Sequence, residues 1–323
     1  MLNIKSDNFS MEIEMAKFAN EISNKGIIRV FDKTAPMRSN DDIYCPHFLN
    51  FAWGYGCPWN CSWCYLAGTF RYVSYKTPRH RVPPHFKDRK EVAKAVAKFL
   101  KLAKHPYILN GGELIDGCCS ENMAHPFSKF IMPMFKGTDH KVLFLTKCTW
   151  VQNFLENDWQ DNAILAWSIN SVEVAERYEK LAPSTLERIR AASLVAECGY
   201  TVRVRLDPMV PVPGWEEQYS KVIKAMCIAF KPERVTLGTL RGLPSTIGAA
   251  LDKEWVKYLT ENSNWGRKPA IDIRFALYSH AIVELHKFGI RKIGVCKDTR
   301  AIWKRLEAEF GMDYHGMACN CIS

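Results

Sequence analysis

The rhythm of hydrophobic positions along the chain changes near residue 48. Before it, residues 1–47 carry little periodicity beyond a stretch over Met11 to Ile22 that predicts a short helix and a run from Gly26 to Phe31 that predicts a strand. From Phe48 onward, short apolar runs alternate with longer amphipathic stretches. The runs Phe48–Tyr55, Tyr107–Asn110, Lys141–Thr146, Ile164–Ser168, Thr201–Asp207 and Arg234–Gly238 predict strands, and residues 88–103, 124–135, 150–157, 184–198 and 216–230 predict helices between them. Such alternation predicts an α/β fold of parallel strands joined by right-handed crossovers, here a partial (β/α)6 barrel with its active groups at the C-terminal strand ends. Beyond it lie the apolar stretch Ile271–Ala276, a predicted helix from Tyr278 to Phe288, a predicted strand from Lys292 to Cys296 and a predicted helix from Thr299 to Phe310. The expected organisation is an N-terminal extension (1–47), a barrel (48–245) and a C-terminal α/β appendage (246–323).

The residues with chemical potential collect at the predicted strand tips. The first strand runs into Gly56-Cys57-Pro58-Trp59-Asn60-Cys61-Ser62-Trp63-Cys64-Tyr65, a C-x3-C-x2-C loop. Three thiolates on one short loop can hold three corners of a cubane iron–sulfur cluster and leave its remaining iron open to another molecule. The competing reading is a zinc-stabilised nucleic-acid-binding protein with Cys45 or His47 as a fourth ligand. Zinc knuckles pair two C-x2-4-C elements, and the second pair is missing here. Inert core thiols fit poorly with Pro58, Asn60 and Ser62, which mark a loop.

Gly111-Gly112-Glu113 follows the second strand, where glycines let backbone approach a ligand and a carboxylate accepts from a cation; a plain strand-to-loop turn is the alternative. Lys147 ends the third strand, Ser168-Ile169-Asn170 the fourth, Arg205-Leu206-Asp207-Pro208 the fifth and Gly238-Thr239-Leu240-Arg241 the sixth. Arg203 and Arg205 share a strand face. A barrel interior seldom holds an unpaired guanidinium, so one of them is expected to pair with Asp207, Glu113 or a ligand.

The cysteine loop, with an aromatic residue before its last cysteine, is the signature of the radical S-adenosylmethionine superfamily. Taken with Tyr65, Lys147, Ser168-Ile169-Asn170, Arg205-x-Asp207-Pro208, Leu237-Gly238-Thr239-Leu240-Arg241 and Ile293-Gly294-Val295-Cys296-Lys297-Asp298, the chain resembles the spore photoproduct lyase family from about Phe48 to its end. The resemblance implies a [4Fe–4S] cluster on Cys57, Cys61 and Cys64, with S-adenosylmethionine on the open iron. It implies that Gly111, Gly112 and Glu113 hold the amino group of S-adenosylmethionine, that Lys147 meets its carboxylate and Ser168 its ribose or carboxylate, that Asn170 and Arg205 belong to the same pocket, and that Tyr65 lies beside the cluster.

The activity so implied is a 5′-deoxyadenosyl radical abstracting hydrogen from thymine or a modified thymine in DNA, in repair or rearrangement, with a flavodoxin- or ferredoxin-type electron donor. A lyase of this family returns hydrogen to the product radical from a cysteine in the loop after the second strand. This chain has Gly112-Glu113-Leu114-Ile115-Asp116 there, with Cys118 and Cys119 just beyond as displaced donors, and Trp63 stands where the family has tyrosine. An isomerase of hypermodified thymine, in which 5′-deoxyadenosine itself returns the hydrogen, is the alternative enzyme.

Charge and composition sharpen the partner. Lys and Arg number 44 against 34 Asp and Glu, a net +10 that suits a polyanion. Between Arg71 and Lys90, nine basic residues counting His80 and His85 interleave with Phe70, Tyr72, Tyr75 and Phe86, which suits single-stranded or flipped nucleic acid as well as a solvated loop. No run of apolar residues is long enough to span a membrane, and Lys5, Asp7, Glu12 and Glu14 deny the N-terminus a signal-peptide core, so a cytoplasmic protein is expected. Twelve cysteines in such a chain read as reduced thiols and metal ligands. The Cys319-Asn320-Cys321 tail reads as packed thiols or as an auxiliary metal site with Cys296 or Cys45.

Overall fold

The computed structural model describes residues 15–22, 25–31, 38–70, 82–314 and 317–322. One sheet dominates, and its eight strands lie side by side in chain order. They are β1 (Ile28–Phe31), β2 (Phe48–Phe51), β3 (Ile108–Asn110), β4 (Lys141–Thr146), β5 (Ala163–Ile169), β6 (Thr201–Met209), β7 (Arg234–Thr239) and β8 (Ile293–Val295). β1 is antiparallel to β2, and every later pair is parallel. The sheet curls into a half-barrel with its helices outside, as the alternating pattern predicts.

Period-2 alternation divides this sheet chemically. On β4 and β5, Val142, Phe144, Leu165 and Trp167 face the helices in the main core, while Leu143, Leu145, Ile164 and Ala166 form a separate apolar cluster on the other face. On β6 the helix-facing set is Val202, Val204 and Leu206, so Arg203, Arg205 and Asp207 point inward. A one-residue slip would drive three charges into the helix layer, and the buried faces therefore hold the register.

The helices carry their own end signals. Asp88 accepts from the backbone N–H of Lys90 and Glu91 (2.7 and 3.2 Å) at the start of Arg89–Leu102. Ser184 and Glu187 form a reciprocal capping box before Thr185–Glu197. Among the described helices none is long and apolar enough to cross a membrane.

Four expectations change. The run predicted as one strand over Phe48–Tyr55 divides after Phe51, and Gly54–Tyr55 leaves the sheet to pair with His85–Phe86. A Cβ on Gly54 would lie 2.8 Å from the His85 carbonyl, so this close pairing needs glycine. Residues 271–287 form one continuous helix, Ile271–Lys287. The appendage also contributes β8 to the main sheet, and a hairpin, Glu261–Ser263 with Gly266–Lys268, has no precedent in the periodicity.

The tail 317–322 threads against the inner face of β6 and β7. Arg203 donates to the carbonyls of Asn320 and Ile322 (2.7 and 2.9 Å), Asn320 donates to the Val204 carbonyl (2.9 Å), and Thr236 Oγ1 donates to Asn320 Oδ1 (2.9 Å).

Candidate active site

The C-terminal ends of β2 to β8 surround a cavity of about 210 Å³. Its first wall is the cysteine loop. Gly56 has φ +90°, and a Cβ there would lie 2.2 Å from the Pro83 carbonyl, so the approach to the loop admits glycine alone. The loop is tied down by Cys57 N–H to the Val82 carbonyl (2.8 Å), Ser62 N–H to the Tyr178 carbonyl (2.8 Å) and Trp59 Nε1–H to Asp116 Oδ2 (2.6 Å). Trp63 lines the cavity and also packs in a side cluster against Tyr178, with ring centroids 5.1 Å apart.

Cys57, Cys61 and Cys64 all line the cavity. Burial pushes the Cys61 thiol up to about 12 and those of Cys57 and Cys64 above the ordinary value, so each is neutral on its own. A bound cation inverts that preference by stabilising thiolate. Among the described residues no three His, Cys, Asp or Glu converge as ligands of one metal ion do. Cubane ligands sit on different irons and need not converge on one point, so three thiols of one loop lining the cavity are compatible with a cluster. The same finding leaves the auxiliary-metal reading of Cys319 and Cys321 without a ligand set among the described residues.

The second wall is the loop after β3. Gly112 N–H donates to Asn110 Oδ1 (3.0 Å), and a Cβ on Gly112 would come within 2.5 Å of the Leu145 carbonyl, which explains glycine there. Gly111 has ordinary room but passes its carbonyl to Trp53 Nε1–H (2.8 Å). The Tyr65 hydroxyl donates to the Glu113 carbonyl, joining the two loops, and burial lifts its phenol well above the ordinary value.

Asp116, which sequence reasoning passed over, is the hub between these loops and β4. Its carboxylate accepts from Trp59 Nε1, Thr146 Oγ1 (2.5 Å), Lys147 N (2.8 Å) and Cys118 N (3.0 Å). Four donors from three segments hold it in one orientation.

Lys147 lies where β4 ends, with Nζ 3.0 Å from Ser168 Oγ and 3.5 Å from Glu179 Oε1. Burial alone would lower the ammonium, but Glu179 and the nearby Cys61 outweigh it and raise Lys147 above the ordinary value. Glu179 also pairs with fully buried Arg188 (2.6 Å). Arg205 Nη1 stands 3.7 Å from Glu113 Oε1, as the sequence argument expected of one of the two arginines. Arg203 instead holds the tail.

The remaining wall comes from far along the chain. Arg241 Nη2 donates to Asp207 Oδ2 (2.7 Å) and keeps that carboxylate below the ordinary range despite burial. Cys296 lines the cavity with its Sγ 3.8 Å from Arg241 Nη2, and Lys297 follows with φ +50°, its Nζ over the rings of Phe31 and Trp265 (4.7 and 4.8 Å). Cys321 from the tail meets Arg205 Nη2 at 2.9 Å. Arg205 Nε and Asp207 Oδ1, on two residues that line the cavity, are buried without a hydrogen-bond partner among the described residues, which leaves polar capacity for a ligand.

Four predicted residues lie outside the cavity lining: Gly111, whose carbonyl is taken by Trp53, and Asn170, Cys118 and Cys119. Asn170 is consumed by Pro208 O, Tyr219 OH and Ser171 N, so it braces β6. Cys118 and Cys119 are packed in the main core, at 1% and 2% exposure, behind Asp116. The signal that would have pointed to Cys296 instead is its place at the tip of another strand of the same sheet. Of the basic stretch, residues 71–81 lie outside the described residues.

Known proteins share the fold on which this cavity is built. Spore photoproduct lyase of Clostridium acetobutylicum is 22% identical over 169 residues, covering 52% of this chain and 48% of that protein, so the chain matches about half the length of that relative. Two solved structures share the fold. Spore photoproduct lyase complexed with dinucleoside spore photoproduct superposes with a TM-score of 0.64 at 15% identity over 91% of this chain and 94% of its own. A double mutant of the lyase with bound AdoMet and dinucleoside spore photoproduct gives 0.62 at 16% identity over 87% and 84%. The family model described as spore photoproduct lyase matches residues 49–238, more than half of the chain, from within β2 to within β7, and the chain belongs to that family.

Proposed function

We propose that the chain is a radical S-adenosylmethionine enzyme acting on thymine or a modified thymine in DNA. The observation that carries this reading is the meeting, in one cavity, of three loop thiols, the Gly112 backbone, the Lys147–Ser168 pair and the orphaned polar atoms of Arg205 and Asp207. Cys57, Cys61 and Cys64 would hold a [4Fe–4S] cluster, with Gly112, Glu113, Lys147 and Ser168 around S-adenosylmethionine. When bound, these groups supply a 5′-deoxyadenosyl radical, using an electron from a flavodoxin- or ferredoxin-type donor. The ligands named for the matched lyase structures, AdoMet and a dinucleoside lesion, support this choice of cosubstrate and substrate.

The chain's own residues do the rest. Lys147 neutralises a carboxylate, the buried Arg241–Asp207 pair fixes the far wall, and the apolar side chains of Trp59, Ile115 and Leu145 keep water from the reacting carbon. The return of hydrogen falls to Cys296, the thiol on the cavity wall outside the cysteine loop. Its S–H bond breaks as a C–H bond forms on the substrate carbon, and one electron from the same donor plus one proton restore the resulting thiyl to thiol.

The test is anaerobic reconstitution with iron and sulfide, followed by turnover of lesion-containing oligonucleotide in deuterated water. Visible cluster absorption, 5′-deoxyadenosine and deuterated thymine are expected. Cys296→Ala should form 5′-deoxyadenosine yet lose the solvent deuterium, whereas Cys118→Ala should keep it. Solvent deuterium retained in Cys296→Ala overturns the donor assignment, and a colourless protein overturns the enzyme.

A further inference from the structure

A second cavity, of about 300 Å³, is lined by Phe86 of the Gly54–Tyr55/His85–Phe86 strand pair and by residues of the helices Arg89–Leu102 and Phe127–Phe135. Its floor is an aromatic stack. Trp53 lies between Phe86 and Phe127 with ring centroids at 5.5 and 3.8 Å and planes within 8° of parallel. Phe86 and Met123 remain 45% exposed although both are large and apolar. The polar residues at its edge include Lys87, Arg89 and His125, and no carboxylate lines it.

The two cations are anchored but not neutralised. Arg89 lies over the Phe130 ring at 4.9 Å and gives one Nη2 hydrogen to the His125 carbonyl, while Lys87 Nζ rests 3.3 Å from the Gly26 carbonyl. Neither forms a salt bridge among the described residues. Burial and the charge of Arg29 lower Lys87, the cost of holding an ammonium without a counter-ion. A flat aromatic surface with unopposed cations fits the face of a base and the charge of a phosphate.

Position adds the rest. Trp53 holds the carbonyl of Gly111, and the next residue, Gly112, lines the candidate active site, so one loop separates the two cavities. We propose that this second cavity receives an unpaired nucleobase next to the reacting one on the same strand, stacked on Phe86, with its phosphate against Arg89 and Lys87. The inference rests on the DNA reading above. It adds a place where the enzyme would grip the strand independently of the cluster and cosubstrate.

The experiment is fluorescence anisotropy of labelled single-stranded oligothymidylate with the full chain, without S-adenosylmethionine, repeated with oligonucleotides carrying one abasic position. A single stacked base contributes about 1–3 kcal/mol, so Phe86→Ala should weaken binding by roughly 5- to 150-fold while Phe86→Tyr keeps it. Arg89→Ala should lower the slope of log affinity against log salt by about 0.7. One abasic position should weaken the wild type as much as Phe86→Ala does, and the two losses should not add. Wild-type affinity in Phe86→Ala overturns the second site and leaves the DNA reading standing, as it would if a segment of the chain itself covers the stack. Absence of DNA affinity in the wild type overturns both.

Discussion

The two sides of the candidate active site are built in opposite ways. The cysteine-loop side is local: within ten residues Gly56 to Tyr65 supply three thiols and a phenol, and the turn is held by backbone bonds to Val82 and Tyr178. The far side draws Arg205 from the middle of β6 and Arg241, Cys296 and Lys297 from just beyond the ends of β7 and β8, with Cys321 from the tail behind them. A local motif needs only the loop to form. An assembled wall needs the whole sheet in register, because moving β6 by one residue would replace Arg205 with an apolar neighbour.

The sharpest way to separate the sides is to remove thiols from each. Cys57→Ala, Cys61→Ala or Cys64→Ala should each lose the visible absorption of the reconstituted protein and all cleavage of S-adenosylmethionine. Cys319→Ala on the tail should keep both. A loop variant that still cleaves would dissolve the contrast.

Lys147 sits between the two walls and tests whether they share a ligand. Removing its charge-assisted contact, typically about 1.5–3 kcal/mol, should weaken S-adenosylmethionine binding roughly 10- to 100-fold in equilibrium dialysis, with cluster absorption unchanged. Unchanged affinity would make Lys147 a structural partner of Glu179 alone.

Gly112→Ala probes the loop after β3 by steric means. Its new Cβ would meet backbone of Leu145, which cannot swing aside, so the fold should lose about 1–3 kcal/mol, read as a lower melting temperature. Gly248→Ala, with nothing within 4 Å, should show no such steric loss.

The last contrast is one of pH dependence and concerns Lys268, which donates to the Lys297 carbonyl at 2.7 Å and so supports the far wall. Burial lowers it to about 8 from an ordinary 10.5. Between these values the unfolded chain holds more proton than the folded one, so raising pH through about 8 to 10.5 stabilises the fold. Below that window both states are protonated and the buried charge is a constant cost. The melting temperature of wild type relative to Lys268→Met should therefore climb across the window, and a flat difference would refute the buried ammonium.

The alternation of apolar runs and amphipathic stretches by itself determined the half-barrel, because each strand is buried on both faces and each crossover helix on one. Spacing alone likewise marked the thiol loop, since its ligands are neighbours in the chain. Glu113, Lys147 and Ser168 were legible as strand tips, for parallel topology sends every such tip to one rim. What only the tertiary structure decided is which tips reach the cavity. Asn170 is consumed by its neighbours, Cys118 and Cys119 turn into the core behind Asp116, and Cys296 comes to the wall because β8 joins a sheet whose other strands end more than fifty residues earlier. Such contacts depend on the register and curl of the whole sheet, and no local pattern of residues records them.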